Sequence, residues 1–231
     1  EKTLLHPADF GQCLSEEGVS ALFLTTALFN QYAGLIAPSL SGLRYVLFGG
    51  EQSDNRAAIR LRAEQAPKHL LHVYGPTETT TFATAYDIPL IEGEDRKLPI
   101  GHPISNTRIY ILDGQGQPVP LGAAGEIHIG GDGVARGYLN RPELTAECFL
   151  TDPFSPVPDA RMYKTGDLGR WLPDGNIEYL GRNDFQVKLR GFRIELGEIE
   201  SALTALPQIK QAVVIDREHH GNKALAAYLV T

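Results

Sequence analysis

The chain has 231 residues, of which 42% are hydrophobic and 21% are charged, and this composition is typical of a globular protein. The net charge of −7 argues against nucleic acid as a partner, and no apolar run is long enough to span a membrane. Cys13 and Cys148 have no CxxC partner, so we expect reduced thiols and a cytoplasmic protein. The single Met is not the first residue, so we expect an interior piece of a longer protein.

The first hundred residues alternate strand and helix signals. Three apolar runs end at glycine or threonine, as buried strands of a parallel sheet do; they are residues 21–24, 43–48 and 70–74. Between the last two, residues 53–65 predict a helix with Ser53 as its N-cap. Strand, helix and strand in this order indicate a parallel pair, and ligands gather at the carboxyl ends of such strands. The residues expected at that edge are Thr25, Gly49, Gly50 and segment 74–80.

The remaining chain predicts two further regions. From about residue 98, short extended runs and turns such as Pro-Asp-Gly-Asn at 173–176 indicate antiparallel strands, with a helix starting near Pro142. After Arg182, strand-like and helix-like runs indicate a small α+β region. The predicted fold class is α/β. It comprises part of a parallel-sheet core at 1–98, a small antiparallel β-barrel-like subdomain at 99–183, and the start of an α+β region at 184–231.

The segment YGPTETT at 74–80 follows a predicted buried strand with a turn, several hydroxyls and one carboxylate. Hydroxyls and backbone N–H groups hold phosphate oxygens, a carboxylate binds Mg²⁺, and an aromatic ring stacks on a base. The alternative is a polar loop whose hydroxyls cap the next element. The complete heptapeptide in this position favours the phosphate-binding interpretation.

Three further stretches each have a functional and a structural interpretation. YKTGD at 163–167 offers an aspartate for the two hydroxyls of a ribose, or the usual Asp of a hairpin turn. GGDGVARGY at 130–138 is a near miss for a dinucleotide motif, and we favour glycines that turn a β corner. FQVKLRGFRIELGEIE at 185–200 is a solvated face, or a cationic loop that closes on phosphates or on a partner.

Together these motifs resemble the amino-acid adenylation domain of a nonribosomal peptide synthetase, within the adenylate-forming enzymes. The matching segments are YGPTETT, GEIHIGGDGVARGYLNRPELTAECF, YKTGDLGRWLPDGNIEYLGR and QVKLRGFRIELGEIE. The resemblance covers essentially the whole chain. The resemblance implies activation of an amino acid with ATP and Mg²⁺. It also implies transfer to phosphopantetheine on a peptidyl carrier protein domain beside other synthetase domains.

The resemblance assigns roles to individual residues. Tyr74 would stack on adenine, Thr77 would contact the α-phosphate, Glu78 would hold Mg²⁺, and Asp167 would bind the ribose. The implied catalytic residues are Thr77 and Glu78. The implied nucleotide-binding residues are Gly49, Gly50, Tyr74, Gly75, Thr77, Asp167, Tyr179 and Arg182. The implied hinge and mobile-lid residues are Asp184, Lys188 and Gly191.

The resemblance also indicates the substrate pocket. Its implied lining is Phe23, Leu47, Gly49, Val73, Thr81 and Phe82. This lining carries no charge, so we expect a branched aliphatic substrate, isoleucine or valine. The alternative is that some of these residues are simply core, and we expect this of Leu47 in particular. The family's phosphate loop and its ammonium-binding aspartate should lie before Glu1, and its catalytic lysine after Thr231. We therefore expect the fragment to be inactive alone.

Two alternatives stay open. One is an acyl-CoA or aryl-acid ligase of the same fold, and the other is a non-catalytic nucleotide-binding module, because fold alone does not establish activity.

Overall fold

Residues 6–51, 55–90, 97–183, 186–189, 192–219 and 222–231 are described by a computed structural model. The chain divides into two units, Glu1–Asn183 and Asp184–Thr231. Among the described residues no helix has the length and apolar character needed to cross a membrane.

The first sheet has five strands in the order β1-β2-β3-β4-β5. Its strands are β1 (Ala21–Thr25), β2 (Tyr45–Gly49), β3 (His69–Tyr74), β4 (Thr84–Asp87) and β5 (His102–Pro103). The first three strands are parallel, which confirms the predicted parallel pair, and β4 and β5 extend the sheet in antiparallel fashion. The helices of this region are α1 (Pro7–Glu16), α2 (Thr26–Tyr32), α3 (Ala37–Ser41) and α4 (Arg56–Glu64).

The crossover helix α4 begins later than its sequence pattern predicts. Asn55 precedes its first residue, Arg56, and Glu64 is its last. The predicted N-cap Ser53 lies outside the described residues. Ala58 and Leu61 on this helix are buried in the first core, so the helix is fixed to the sheet by apolar packing.

The first core lies on one face of the first sheet. Side chains alternate between the faces of a strand, so Val46 and Phe48 point to the same side of β2. Both are fully buried, and the Phe48 ring stacks on Phe29 of α2 with centroids 4.2 Å apart. His72 of β3 stacks on the same ring at 5.2 Å. The opposite face carries four of the six predicted pocket positions, and the other two, Thr81 and Phe82, lie between β3 and β4.

The second sheet is antiparallel throughout, in the order β10-β9-β7-β6 with β8 paired to β9. Its strands are β6 (Thr107–Leu112), β7 (Gly125–Gly131), β8 (Phe149–Thr151), β9 (Arg161–Trp171) and β10 (Ile177–Arg182), with α5 (Pro142–Cys148) before β8. The predicted hairpin turn at 173–176 joins β9 to β10, where Leu172 N–H donates to Asn176 O at 2.8 Å. The predicted antiparallel subdomain is therefore confirmed.

The predicted barrel-like shape of this subdomain is not confirmed. In the described part of the chain the end strands β6 and β10 pair with short segments rather than with each other. Ile100 N–H donates to Ile177 O on β10 at 2.8 Å, and Val119 N–H donates to Ile111 O on β6 at 3.0 Å. Because these segments occupy edge groups that closure would need, the sheet is open.

The second unit is α+β, as the sequence predicts. It contains β11 (Gln186–Leu189), β12 (Phe192–Glu195), α6 (Leu196–Thr204), β13 (Gln211–His219) and β14 (Asn222–Val230). The strands form two separate antiparallel pairs, and α6 packs against β13. Leu196 and Val214 are buried in this unit, and Val214 N–H donates to Glu200 Oε1 at 2.7 Å.

Candidate functional site

A buried hydrogen bond joins the two sheets at the end of β3. Tyr74, the last residue of that strand, donates its hydroxyl to Asp167 Oδ2 of β9 at 2.6 Å, across 93 residues of sequence. Only 1% of Asp167 is exposed. Burial, and then the neighbouring Asp167 carboxylate, raise the pKa of Tyr74 well above its usual value. The Tyr74 hydroxyl therefore stays protonated at neutral pH and donates a hydrogen bond to this carboxylate.

The other Asp167 oxygen faces β10. Oδ1 accepts from Arg182 Nη1 at 2.7 Å and from the Tyr179 hydroxyl at 3.4 Å. Arg182 lies directly opposite Asp167 in the β9–β10 ladder, after a bulge between Tyr179 and Gly181. Such bulges redirect side chains, which explains how both residues reach one oxygen. The structure thus brings together the residues predicted for the ribose.

The Asp167 backbone is also fixed. Its N–H donates to Thr165 Oγ1 at 2.9 Å, and that hydroxyl donates to Ile127 O on β7 at 2.7 Å. Arg182 Nη2 donates to Thr165 O at 3.2 Å. Both Asp167 oxygens already accept hydrogen bonds, so a ribose must share or replace the tyrosine hydroxyls there. Ribose binding and adenine stacking stay predictions.

The second part of the candidate site is the turn after β3. Thr77–Thr79 form one 3-10 turn, with Thr77 exposed and Glu78 buried. Glu78 Oε1 accepts from the Tyr138 hydroxyl at 2.6 Å. Thr80 and Thr81 follow with φ angles of 60° and 72°. This left-handed region is costly for β-branched residues, and such strain concentrates at functional sites.

Glycines determine the backbone geometry at the ends of β2 and β3. A side chain at Gly49 would overlap the carbonyl oxygen of Val73 on β3, so β2 and β3 approach closely only because residue 49 is glycine. Gly50 has a φ of 99°, a conformation that favours glycine. A Cβ at Gly75 would lie 2.5 Å from Thr81 O, so the turn closes tightly over this position.

Four predicted pocket positions share one face of the first sheet. Phe23 lies beside Leu47, and Gly49 lies beside Val73, in the strand register. The Phe23 side chain is 44% exposed and its ring centroid is 5.2 Å from that of Phe82. Leu47 is half-buried, unlike its fully buried neighbours on the core face. The face is apolar and accessible at the Phe23 end.

Of the three predicted hinge and lid positions, the structure describes only Lys188. Lys188 lies in β11 and pairs with Arg193 in the β11–β12 register. Asp184 and Gly191 lie outside the described residues. The hinge and lid roles therefore stay predictions.

Tyr138 is the residue that sequence reasoning missed. It lies in GGDGVARGY, where the glycines drew attention, and that segment does turn a β corner after β7, with Gly131 at a φ of 119°. The aromatic residue after Gly137 was the available signal. Burial and then the Glu78 carboxylate raise the pKa of Tyr138 far above its usual value, so it too remains a donor.

The residues of the turn fit a Mg²⁺ ion that is bound by the protein and the substrate together. Glu78 offers a carboxylate in the turn, between Thr77 and Thr79 in the sequence. Within the described ranges no group of three or more His, Cys, Asp or Glu side chains could form an all-protein site. Mg²⁺ is commonly bound by one or two carboxylates together with substrate phosphates. A single carboxylate therefore suits Mg²⁺ bound with a nucleotide.

Comparison with known proteins defines the class. Residues 1–139 match the model of the AMP-binding enzyme family, so the chain belongs to that family. It is 50% identical over 228 residues to malpibaldin synthetase of Mortierella alpina, which covers 99% of the chain and 4% of that protein. The chain thus spans a small part of such relatives.

Solved structures narrow the resemblance. Holo-PA1221, a nonribosomal peptide synthetase protein with adenylation and PCP domains bound to a vinylsulfonamide inhibitor, matches with a TM-score of 0.88 and 34% identity, over 96% of this chain and 39% of that one. Holo-AB3403, a four-domain nonribosomal peptide synthetase bound to AMP and glycine, matches with a TM-score of 0.67 and 38% identity, over 99% of this chain and 17% of that one. The resemblance to synthetase adenylation domains is confirmed.

Proposed function

We propose that the protein containing this chain activates an amino acid with ATP and passes it to the phosphopantetheine thiol of a peptidyl carrier protein. The observation that carries this proposal is the buried cluster in which Tyr74, Asp167 and Arg182 join the two sheets. The family match and the likeness to synthetases with adenylation and PCP domains support the same reaction.

The proposed chemistry solves a leaving-group problem. A carboxylate is a poor acyl donor because oxide would have to leave. Its oxygen therefore attacks the α-phosphorus of ATP, the bond to pyrophosphate breaks, and an aminoacyl-adenylate forms. The carrier thiol then attacks the acyl carbon, and AMP leaves with the electron pair. Both steps depend mainly on positioning and on charge neutralisation.

The residues of this chain would supply that positioning. Thr77, which is exposed, would contact the α-phosphate, and Asp167 would bind the ribose by sharing or replacing the tyrosine hydroxyls whose hydrogen bonds it now accepts. Glu78 would hold Mg²⁺, which neutralises phosphate charge when bound. The backbone of Gly49 and Gly50 would lie beside adenine and Tyr74. Asp184, Lys188 and Gly191 would serve the hinge and the lid.

For the substrate we propose isoleucine or valine. The Phe23 and Leu47 side chains and the Phe82 ring offer apolar surface, Val73 is buried beside Gly49, and none of these side chains carries a charge. A charged substrate side chain on this surface would lose its hydration without gaining a partner. A branched aliphatic side chain has no polar group to lose in this way.

The test is ATP–pyrophosphate exchange by the full-length protein with a panel of amino acids. We expect isoleucine and valine to give the highest exchange, and Asp167→Asn to reduce it strongly. Asp113→Asn is the control, because Asp113 only caps an exposed turn through the N–H groups of Gln115 and Gln117. Exchange with charged amino acids alone would contradict the substrate, and exchange with none would contradict the proposed reaction.

A further inference from the structure

The segment at residues 133–138, which we name the brace, contacts the turn after β3 at three successive points. Thr80 Oγ1 donates to Gly133 O at 2.8 Å. Ala135 N–H donates to Glu78 O at 2.8 Å. The Tyr138 hydroxyl donates to Glu78 Oε1 at 2.6 Å. The brace thus fixes both the backbone and the side chain of Glu78.

The brace is itself held from behind. The Arg161 guanidinium donates to Ala135 O and to Arg136 O, both at 2.8 Å. Because one planar group spans two successive carbonyls, the backbone of the brace has little freedom. Its conformation is therefore fixed independently of the Glu78 side chain.

Tyr138 is held through its backbone, its ring and its hydroxyl. Its N–H donates to Thr145 Oγ1 at 2.9 Å, and its ring packs edge-on against Phe149 with centroids 5.3 Å apart. Gly137 has a φ of 143°, and a side chain there would overlap Thr145. The Tyr138 hydroxyl also lies 3.3 Å from the Tyr163 hydroxyl. The hydroxyl is thereby directed at Glu78.

We propose that Tyr138 is a positioning residue, which holds the Glu78 carboxylate in the direction that binds the magnesium ion of the nucleotide. A glutamate side chain has several rotatable bonds, whereas the Tyr138 ring is rigid and packed. A hydrogen bond to one carboxylate oxygen restricts rotation of the whole group. This inference rests on the proposed function, because it requires Glu78 to be a magnesium ligand.

The experiment measures metal binding directly. Mn²⁺ replaces Mg²⁺, and its affinity for the full-length protein is followed by electron paramagnetic resonance with a non-hydrolysable ATP analogue. We expect Tyr138→Phe to weaken Mn²⁺ binding roughly tenfold, as loss of a hydrogen bond to a charged group does. The Mg²⁺ concentration that half-saturates pyrophosphate exchange should rise equally, while the KM for the amino acid stays within about twofold because Tyr138 is not among the proposed pocket residues.

Tyr110→Phe is the matched control. The Tyr110 hydroxyl donates to the buried carboxylate of Asp152 at 3.1 Å, in the same subdomain. This variant loses the same kind of bond without touching Glu78, so its Mn²⁺ affinity should equal that of the unaltered protein. If Tyr138→Phe does not fold, Thr80→Val decides, since it loosens the brace at Gly133 and should weaken Mn²⁺ binding about threefold.

Glu78→Gln separates the two proposals. If it weakens Mn²⁺ binding and Tyr138→Phe, or Thr80→Val in its place, does not, the positioning role is wrong and the proposed function stands. If Glu78→Gln leaves Mn²⁺ binding unchanged, the ligand role of Glu78 fails, and the inference fails with it. An equal loss in Tyr110→Phe would show a general packing effect and would also overturn the inference.

Discussion

Arg182 and Arg170 offer a direct test of how burial determines the value of an ion pair. Both extend from the β9–β10 hairpin, and each has a nitrogen 2.7 Å from a carboxylate oxygen, on Asp167 and on Glu178 respectively. The Arg182 and Asp167 side chains are 9% and 2% exposed, whereas the Arg170 and Glu178 side chains are 44% and 17% exposed. The two ion pairs therefore have the same N–O distance but differ in their exposure to solvent.

Replacing each arginine by methionine keeps the length of the side chain and removes its charge. Arg182→Met leaves a buried carboxylate without its cation, which costs about 3–5 kcal/mol. Arg170→Met should cost at most about 1 kcal/mol. One kcal/mol shifts the Tm of a 150–250-residue protein by about 2–4 °C, so we expect losses of about 6–20 °C and at most about 4 °C.

Thermal unfolding followed by circular dichroism measures both shifts. Added salt should shrink the Arg170→Met effect and leave most of the Arg182→Met effect, because buried pairs are screened less. The double variant Arg182→Met with Asp167→Asn should recover part of the loss, since no uncompensated charge then remains. Equal shifts for the two arginine variants, or strict additivity in the double variant, would refute this reasoning.

Three further outcomes are expected. Gly49→Ala should lower Tm through an overlap with Val73 O that costs about 1–3 kcal/mol, whereas Gly34→Ala, which meets open space, should not; equal melting curves would contradict this. Burial lowers the pKa of His72 below that of the unfolded chain, so stability in urea should fall as the pH drops below about 6.5, and His72→Gln should reduce that slope; an unchanged slope would contradict it. Thr81→Gly should raise Tm by relieving a φ of 72°, and a lower Tm would show that the strain is compensated locally.

The parallel strands were predictable because their signal is local. Apolar runs bounded by glycine are typical of strands in parallel sheets, and 43–48 and 70–74 correspond to β2 and β3. The open shape of the second sheet was not predictable in this way. Its edges are occupied by Ile100 and Val119, which lie outside the strands that they border, and no local pattern indicates such pairings.

In the candidate site, too, one contact could be predicted from the sequence and another could not. Asp167 and Arg182 flank one hairpin turn, so a sequence that predicts the hairpin also predicts their approach. Tyr138 and Glu78 are 60 residues apart, and their contact depends on how a glycine corner after β7 folds over another sheet's turn. Periodicity describes single elements, and it contains no information on such a contact.

The bond between Tyr74 and Asp167 also sets an order of events during synthesis. A ribosome adds about 5–20 residues per second, so Asp167 is made roughly 5 to 20 seconds after Tyr74, across the 93 residues between them. During that interval the strands of the first sheet can already pair, while the tyrosine hydroxyl still faces water. The cluster around Asp167 is thus completed late on the ribosome, because a nascent chain stalled before β9 contains Tyr74 but not the carboxylate that accepts its hydroxyl.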